Sequence, residues 1–186
     1  MKLLIMGPPG VGKGTQAALL KESLDIIHLS TGDILRDEIK KKSVIGLKAQ
    51  SFMNEGKLVP DKILLDIIAE RIIQKDCRNG FLLDGFPRTL KQAVGLDKIL
   101  ESINQLLDFA ISLDANEKEL INRLINRGAE LGRSDDTPEV IRNRQKIYWE
   151  NTAPLLDFYK DKYILKEVDG LGDIEIITNR ILKSIK

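Results

Sequence analysis

Few residues in this chain carry the chemistry of thiols, imidazoles or large aromatic rings: its 186 residues include one Cys, one His and one Trp. A lone Cys77 forms neither an internal disulfide nor a multi-cysteine zinc site, and its isolation fits a reducing compartment. A surplus of one charge sign is missing too. With 29 Lys and Arg against 28 Asp and Glu the net charge is +1, which leaves no field to hold nucleic acid or an anionic membrane. No stretch of about 18 apolar residues occurs, and the apolar start Leu3-Leu4-Ile5-Met6 is too short for a secretory signal. A cytoplasmic protein with no membrane or nucleic-acid partner is therefore expected. No repeat or low-complexity linker divides the chain, and its length suits one globular domain burying roughly 70% of its unfolded surface without disulfide or metal.

What is present is an alternation of short apolar runs with longer segments of helical period, the pattern of a parallel sheet covered by crossover helices. The strands expected are Lys2 to Met6, Ile26 to Leu29, Phe81 to Asp84, Phe109 to Leu113 and Tyr163 to Val168. Their apolar residues run on without alternating, as in strands covered on both faces. The helices expected are Lys13 to Leu24, Ile63 to Lys75, Leu90 to Ile103, Glu117 to Arg127, Pro138 to Tyr159 and Ile174 to Lys186, with Asp61 and Thr137 as N-caps. Two stretches interrupt the alternation. Thr31 to Pro60 inserts two short helical segments broken at Gly46 and Gly56, and Gly128 to Thr137 is a polar loop between two helices. Insertions near the carboxyl ends of strands are where ligands are covered.

The strongest local motif is Gly7-Pro8-Pro9-Gly10-Val11-Gly12-Lys13-Gly14-Thr15, placed after a strand and opening a helix. Glycines let such a loop curl round a phosphate with its N–H groups inward, the helix N-terminus adds partial positive charge, and Lys13 adds a full one. Gly14 follows the lysine where Ser or Thr is usual, so a hydroxyl for Mg²⁺ moves to Thr15. Asp84 closes the run Phe81-Leu82-Leu83 and is expected beside this loop, where a carboxylate assists Mg²⁺ through water. His28, Cys77, Tyr148 and Trp149 read as structural, the last two as packing residues.

Further motifs follow in order: Leu-Ser-Thr-Gly-Asp at 29 to 33 with Arg36, Gly56-Lys57-Leu58-Val59-Pro60-Asp61, Leu83-Asp84-Gly85-Phe86-Pro87-Arg88-Thr89 with Gln92, and Gly132-Arg133-Ser134-Asp135-Asp136 followed by Arg144. With these the chain resembles the nucleoside monophosphate kinases over nearly its whole length, most closely adenylate kinases with a short lid. The resemblance implies an α/β fold with a P-loop parallel five-stranded sheet flanked by helices. It divides the chain into a core of 1–29, 60–127 and 139–186, a helical AMP-binding insertion at 30–59 and a short lid at 128–138.

The activity implied is reversible transfer of the terminal phosphoryl group of Mg-ATP to AMP, giving two ADP, by a monomer. The donor contacts implied are Gly10, Val11, Gly12, Lys13, Gly14, Thr15, Arg123, Arg127 and Gly172. The AMP contacts implied are Thr31, Arg36, Lys57, Leu58, Val59, Gly85, Phe86, Pro87, Arg88, Gln92, Arg133 and Arg144. The catalytic set implied is Lys13, Arg88, Arg127, Arg133 and Arg144. The lid has about ten residues and no cysteine, so no zinc is expected.

The arginines argue in the same direction by themselves. Arg123, Arg127, Arg133, Arg142 and Arg144 fall in one window without lysine, whereas the rest of the chain prefers lysine strongly. Planar guanidinium groups grip phosphate oxygens in pairs where lysine is a point charge. Arg142 and Arg144 are about 200° apart round a helix, so only one faces a common site, and Arg144 is the one expected there. Asp135 and Asp136 are expected to orient the lid arginines. A phosphate acceptor, with a second pKa of about 6, is ionised at neutral pH, so the lack of a catalytic His or Asp base is consistent with transfer to AMP. The alternatives weighed are a uridylate/cytidylate kinase, opposed by Thr31 and Gln92, and a nucleotide-dependent switch, opposed by the absence of Asn-Lys-x-Asp.

Overall fold

The computed structural model describes residues 1–116, 119–125 and 137–186. Five parallel strands form one sheet: β1 (Lys2–Met6), β2 (Ile27–Ser30), β3 (Phe81–Asp84), β4 (Phe109–Asp114) and β5 (Leu165–Asp169), in the order β2-β3-β1-β4-β5. β1 is central, with Leu4 opposite Leu83 on one side and Ala110 on the other. Crossovers leave to opposite sides of β1, so a crevice opens at its carboxyl end, where open α/β sheets bind ligands.

Continuous apolar strands are explained by the two layers they separate. Leu4 and Met6 face a cluster with Leu64 and Ile68 of α4 (Asp61–Ile72), Ala93 and Leu96 of α5 (Leu90–Ser102), and Leu155 and Tyr159 of α8 (Leu155–Asp161). Leu3 and Ile5 face the other layer, with Ala17 and Leu20 of α1 (Lys13–Leu24) and Ile177 and Ile181 of α9 (Ile174–Ser184).

The insertion consists of α2 (Thr31–Lys40) and α3 (Val44–Asn54). Its break falls at 41–43, with Lys42 at φ 54°, rather than at Gly46. Gly46 lies inside α3, where a Cβ would stand 2.2 Å from the Glu38 carbonyl oxygen, so this glycine serves a close helix contact. Ser30 and Ser43 cap the two helices, accepting from the Asp33 and Gly46 amides.

Other expectations shift for local reasons. Thr137 caps α7 (Pro138–Ile147), but Asp61 is the first residue of α4 and turns its carboxylate to Gln92 and Thr89. The single helix expected from Pro138 to Tyr159 is instead α7, a π-helical turn Tyr148–Thr152, and α8 after Pro154. β2 starts at Ile27 and β5 at Leu165, because Tyr163 turns at φ 59° before the last strand. Residues 119–125 are helical (α6), while the expected loop from Gly128 lies outside the described residues, except for its end at Thr137. Tyr148 is buried as expected of packing, but Trp149 is 51% exposed.

Tyr159 is fully buried and its hydroxyl has no hydrogen-bond partner among the described residues. Burial pushes its phenol well above the usual range. Tyr159→Phe removes the orphaned hydroxyl while keeping the ring edge-on to Phe158 at 5.1 Å. The expected result is a gain of about 1 kcal/mol, seen as a rise of roughly 2–4 °C in a circular-dichroism melt. A lower melting temperature would show that the hydroxyl is bonded.

Candidate active site

Residues 7–12 connect β1 to α1 and form one wall of a cleft of about 760 Å³ at the carboxyl end of the sheet. The loop cannot be built from larger residues. Gly10 has φ 91°, and a Cβ there would fall 2.5 Å from the Leu120 carbonyl oxygen of α6. Gly12, the N-cap of α1, provides no side chain to satisfy the first amides of the helix.

Nor does α1 carry an acidic residue in its first turn; its first residue is Lys13. A cation at a helix N-terminus opposes the helix dipole. An anion bound there relieves both, which is the arrangement of a phosphate site. Lys13 bends back over the loop, donating from Nζ to the carbonyls of Gly7 at 2.7 Å and Pro8 at 3.0 Å.

Asp84 ends β3 at the same level. Its Oδ2 lies 3.8 Å from the place of a Cβ on Gly14 and 3.2 Å from His28 Nε2, and its carbonyl accepts from Thr31 Oγ1 at 3.3 Å. His28, which reads as structural from sequence, faces this carboxylate. It is paired because the β2–β3 register places it beside the end of β3, a contact that spacing along the chain does not reveal.

Arg88 is a firmly held cation of the opposite wall. Its amide donates to Gln92 Oε1 at 2.7 Å, its carbonyl accepts from Thr152 Oγ1 at 3.0 Å, and its Nε donates to the Gly85 carbonyl at 2.7 Å. Gln92 in turn donates to Asp61 at 2.8 Å. Gln92 is fully buried and does not line the cleft; it fixes the turn that carries Arg88. Arg36 also reaches the cleft and pairs with Asp33 at 2.6 Å, while Lys57 pairs with Glu55.

The structure gathers round this one cleft Gly10 to Thr15, Thr31, Arg36, Lys57 to Val59, Asp84 to Arg88, Arg123, Arg144 and Gly172. Arg123 pairs with Glu119 at 2.9 Å on the exposed side of α6. Near Gly172, Arg180 donates to the carbonyls of Asp169 and Leu171 and so shapes the loop after β5. Arg144 lines the cleft whereas Arg142 is exposed outside it. Arg127, Arg133, Asp135 and Asp136 lie outside the described residues.

Sequence reasoning also missed Tyr148 and Thr152, which line the cleft because the π-helical turn swings them inward. Burial, with Asp114 nearby, pushes the Tyr148 phenol up to about 12, so it stays protonated at neutral pH. Cys77 is buried away from the cleft beside Arg71, and burial raises its thiol as well. Both readings of these side chains leave the cleft without a thiolate or phenolate nucleophile.

A phosphate loop at the switch point of a parallel sheet, faced across one cleft by arginines on separate elements, defines a P-loop nucleotide phosphotransferase. The family model described as adenylate kinase matches residues 5–164, and the chain belongs to that family. It is 50% identical over 184 residues to an adenylate kinase of Leptospira biflexa, covering 99% of each chain. It is 47% identical over 186 residues to one of Bifidobacterium longum, covering all of both. An adenylate kinase of Methanocella arvoryzae is 44% identical, with 100% of this chain and 99% of that one covered. The activity of the family is phosphoryl transfer between ATP and AMP, which favours neither the uridylate/cytidylate kinase nor the switch protein.

Proposed function

We propose that the cleft brings the terminal phosphoryl group of Mg-ATP and the phosphate of AMP into line, with the donor on the phosphate loop and the acceptor at Arg36 and Arg88. The observation that supports this reading is that two cations on separate elements line one cavity, Lys13 at the start of α1 and Arg88 held at three points. Two polyanions brought together need charge compensation above all, and Lys13, Arg36, Arg88, Arg127, Arg133 and Arg144 provide it. The AMP phosphate is already ionised at neutral pH, so the attacking oxygen needs no base.

Arg123 and the loop at Gly172 are proposed to hold the donor base, and Lys57 to Val59 and Gly85 to Pro87 to surround the AMP base and ribose. The insertion at 30–59 is the proposed acceptor flap and 128–138 the lid, both excluding water as a competing acceptor.

The residues present fit a magnesium ion held mainly through phosphate and water. One carboxylate, Asp84, faces the start of α1 with Thr15 beside it, and no group of three or more metal-ligating side chains occurs among the described residues. Asp84, through water, and Thr15 would hold the ion. When bound it neutralises the charge developing on the donor phosphates. No zinc is expected in the lid.

Action by a monomer in the cytoplasm is part of the same proposal; among the described residues no helix is long and apolar enough to cross a membrane.

The test is a panel of AMP, UMP, CMP and GMP with Mg-ATP, scored for diphosphate. AMP alone should turn over well, while comparable turnover of UMP or CMP overturns the reading. Thr31, which is 2% exposed and bonded to the Asp84 carbonyl, borders the proposed AMP base site. Thr31→Ala is expected to narrow the preference for AMP over UMP and CMP by roughly tenfold in kcat/KM, the worth of one hydrogen bond. An unchanged ratio of specificity constants would remove Thr31 from base choice.

A further inference from the structure

Three consecutive residues of α7 make three different connections. Asn143 donates from Nδ2 to the Glu55 carbonyl at 2.7 Å, where the insertion rejoins the core. Arg144 lines the cleft, and its Cγ lies 3.1 Å from the place of a Cβ on Gly56. Gln145 donates from Nε2 to the Pro9 carbonyl, inside the phosphate loop, at 3.0 Å. Residues two apart on a helix point to nearly opposite sides, so α7 spans the gap between insertion and loop.

Gln145 is the informative member. It is 4% exposed, and its Oε1 is buried with no hydrogen-bond partner among the described residues. A buried acceptor left unmet costs more than one neutral hydrogen bond returns, and leucine would fill nearly the same space with no polar cost. Stability therefore does not account for an amide here. What the amide adds, and leucine lacks, is a directional tie between α7 and the loop that holds the donor.

We propose that Gln145 and Asn143 are positioning residues that hold Arg144 in register, Gln145 against the phosphate loop and Asn143 against the acceptor insertion. Neither touches substrate. Each acts through Arg144, whose guanidinium is useful only when aimed at the group in flight, and small misplacements of such groups are costly in rate. The inference rests on the proposed placement of the donor at the phosphate loop and of Arg144 beside the transferred group.

The experiment compares Gln145→Leu and Gln145→Glu, each alone and combined with Arg144→Lys, in the full chain. Both Gln145 variants are expected to lose about tenfold in kcat, with the KM for AMP nearly constant and the melting temperature of Gln145→Leu equal to or above that of the parent. Gln145→Glu belongs in the set because an acid of the same shape donates to Pro9 only while protonated, so its loss in kcat should deepen as pH rises. In the Arg144→Lys background Gln145→Leu should cost little more, since a positioning residue has nothing left to aim.

An unchanged kcat in Gln145→Leu, or losses that simply multiply in the combined variant, overturns the proposal. Should Gln145→Leu fail to fold, Asn143→Ala at the helix surface tests the same bridge from its other end. A roughly threefold lower kcat with the KM for AMP nearly constant supports it, and an unaltered kcat overturns it. Failure of the underlying reading looks different: Arg144→Lys alone would then be fully active.

Discussion

Lys13→Ala is expected to lower kcat/KM for phosphoryl transfer by roughly 100- to 1,000-fold while leaving a folded protein. The loss follows from removing a fixed charge aimed at developing charge inside a cleft, typically worth about 3–4 kcal/mol in the transition state. The fold should survive because Lys13, whose ammonium donates to the Gly7 and Pro8 carbonyls, belongs to neither apolar layer. In the free protein the lysine also opposes the dipole of α1, so its removal relieves one unfavourable interaction, which offsets part of the loss of its hydrogen bonds to the loop. Steady-state kinetics and a circular-dichroism melt on the same preparation decide the matter. A folded variant with unchanged turnover would sink the assignment of the loop.

The second large effect separates two arginines of one helix. Arg144→Lys should reduce kcat by about 30- to 1,000-fold, or ~2–4 kcal/mol, with a smaller change in KM, because a paired guanidinium contact is made chiefly to charge that develops during transfer. Arg133→Lys is expected to behave alike, by the family resemblance. Arg142→Lys should be nearly silent, since Arg142 is exposed and outside the cleft that Arg144 lines. If Arg142→Lys is damaged as badly as Arg144→Lys, the division of the helix into a cleft face and a solvent face is mistaken.

The strands most legible in the sequence were those buried on both faces. Lys2–Met6 and Phe81–Asp84 match the expected limits, because an unbroken apolar run of three or four residues beside glycine has few other uses in a parallel sheet. Edge and peripheral elements were less legible. β5 is half exposed and begins after a left-handed turn at Tyr163, so its apolar pattern runs past its true start.

The helical period from Pro138 to Tyr159 hides a π-helical turn because one extra residue per turn rotates the pattern without breaking it. The phosphate loop could be read directly, since its glycines, lysine and position after a strand are all local. The pairing of His28 with Asp84, the anchoring of Arg88 by Thr152, and the tie from Gln145 to Pro9 could not, because each joins residues distant in sequence through the packing of elements.

The place of β1 has a consequence for synthesis. Of the five strands of this sheet the central one is made first, and it has no partner until Phe81–Asp84 has been made and none on its other edge until Phe109–Asp114 follows. Through that interval Leu3-Leu4-Ile5-Met6, an apolar strand with two open edges, waits in a chain that cannot yet bury it, the kind of segment that associates with other chains when folding is slow. Non-local pairing of this sort also slows folding itself. Translation rate and chaperone supply should therefore govern the yield of active enzyme more strongly than the equilibrium stability of the finished fold does.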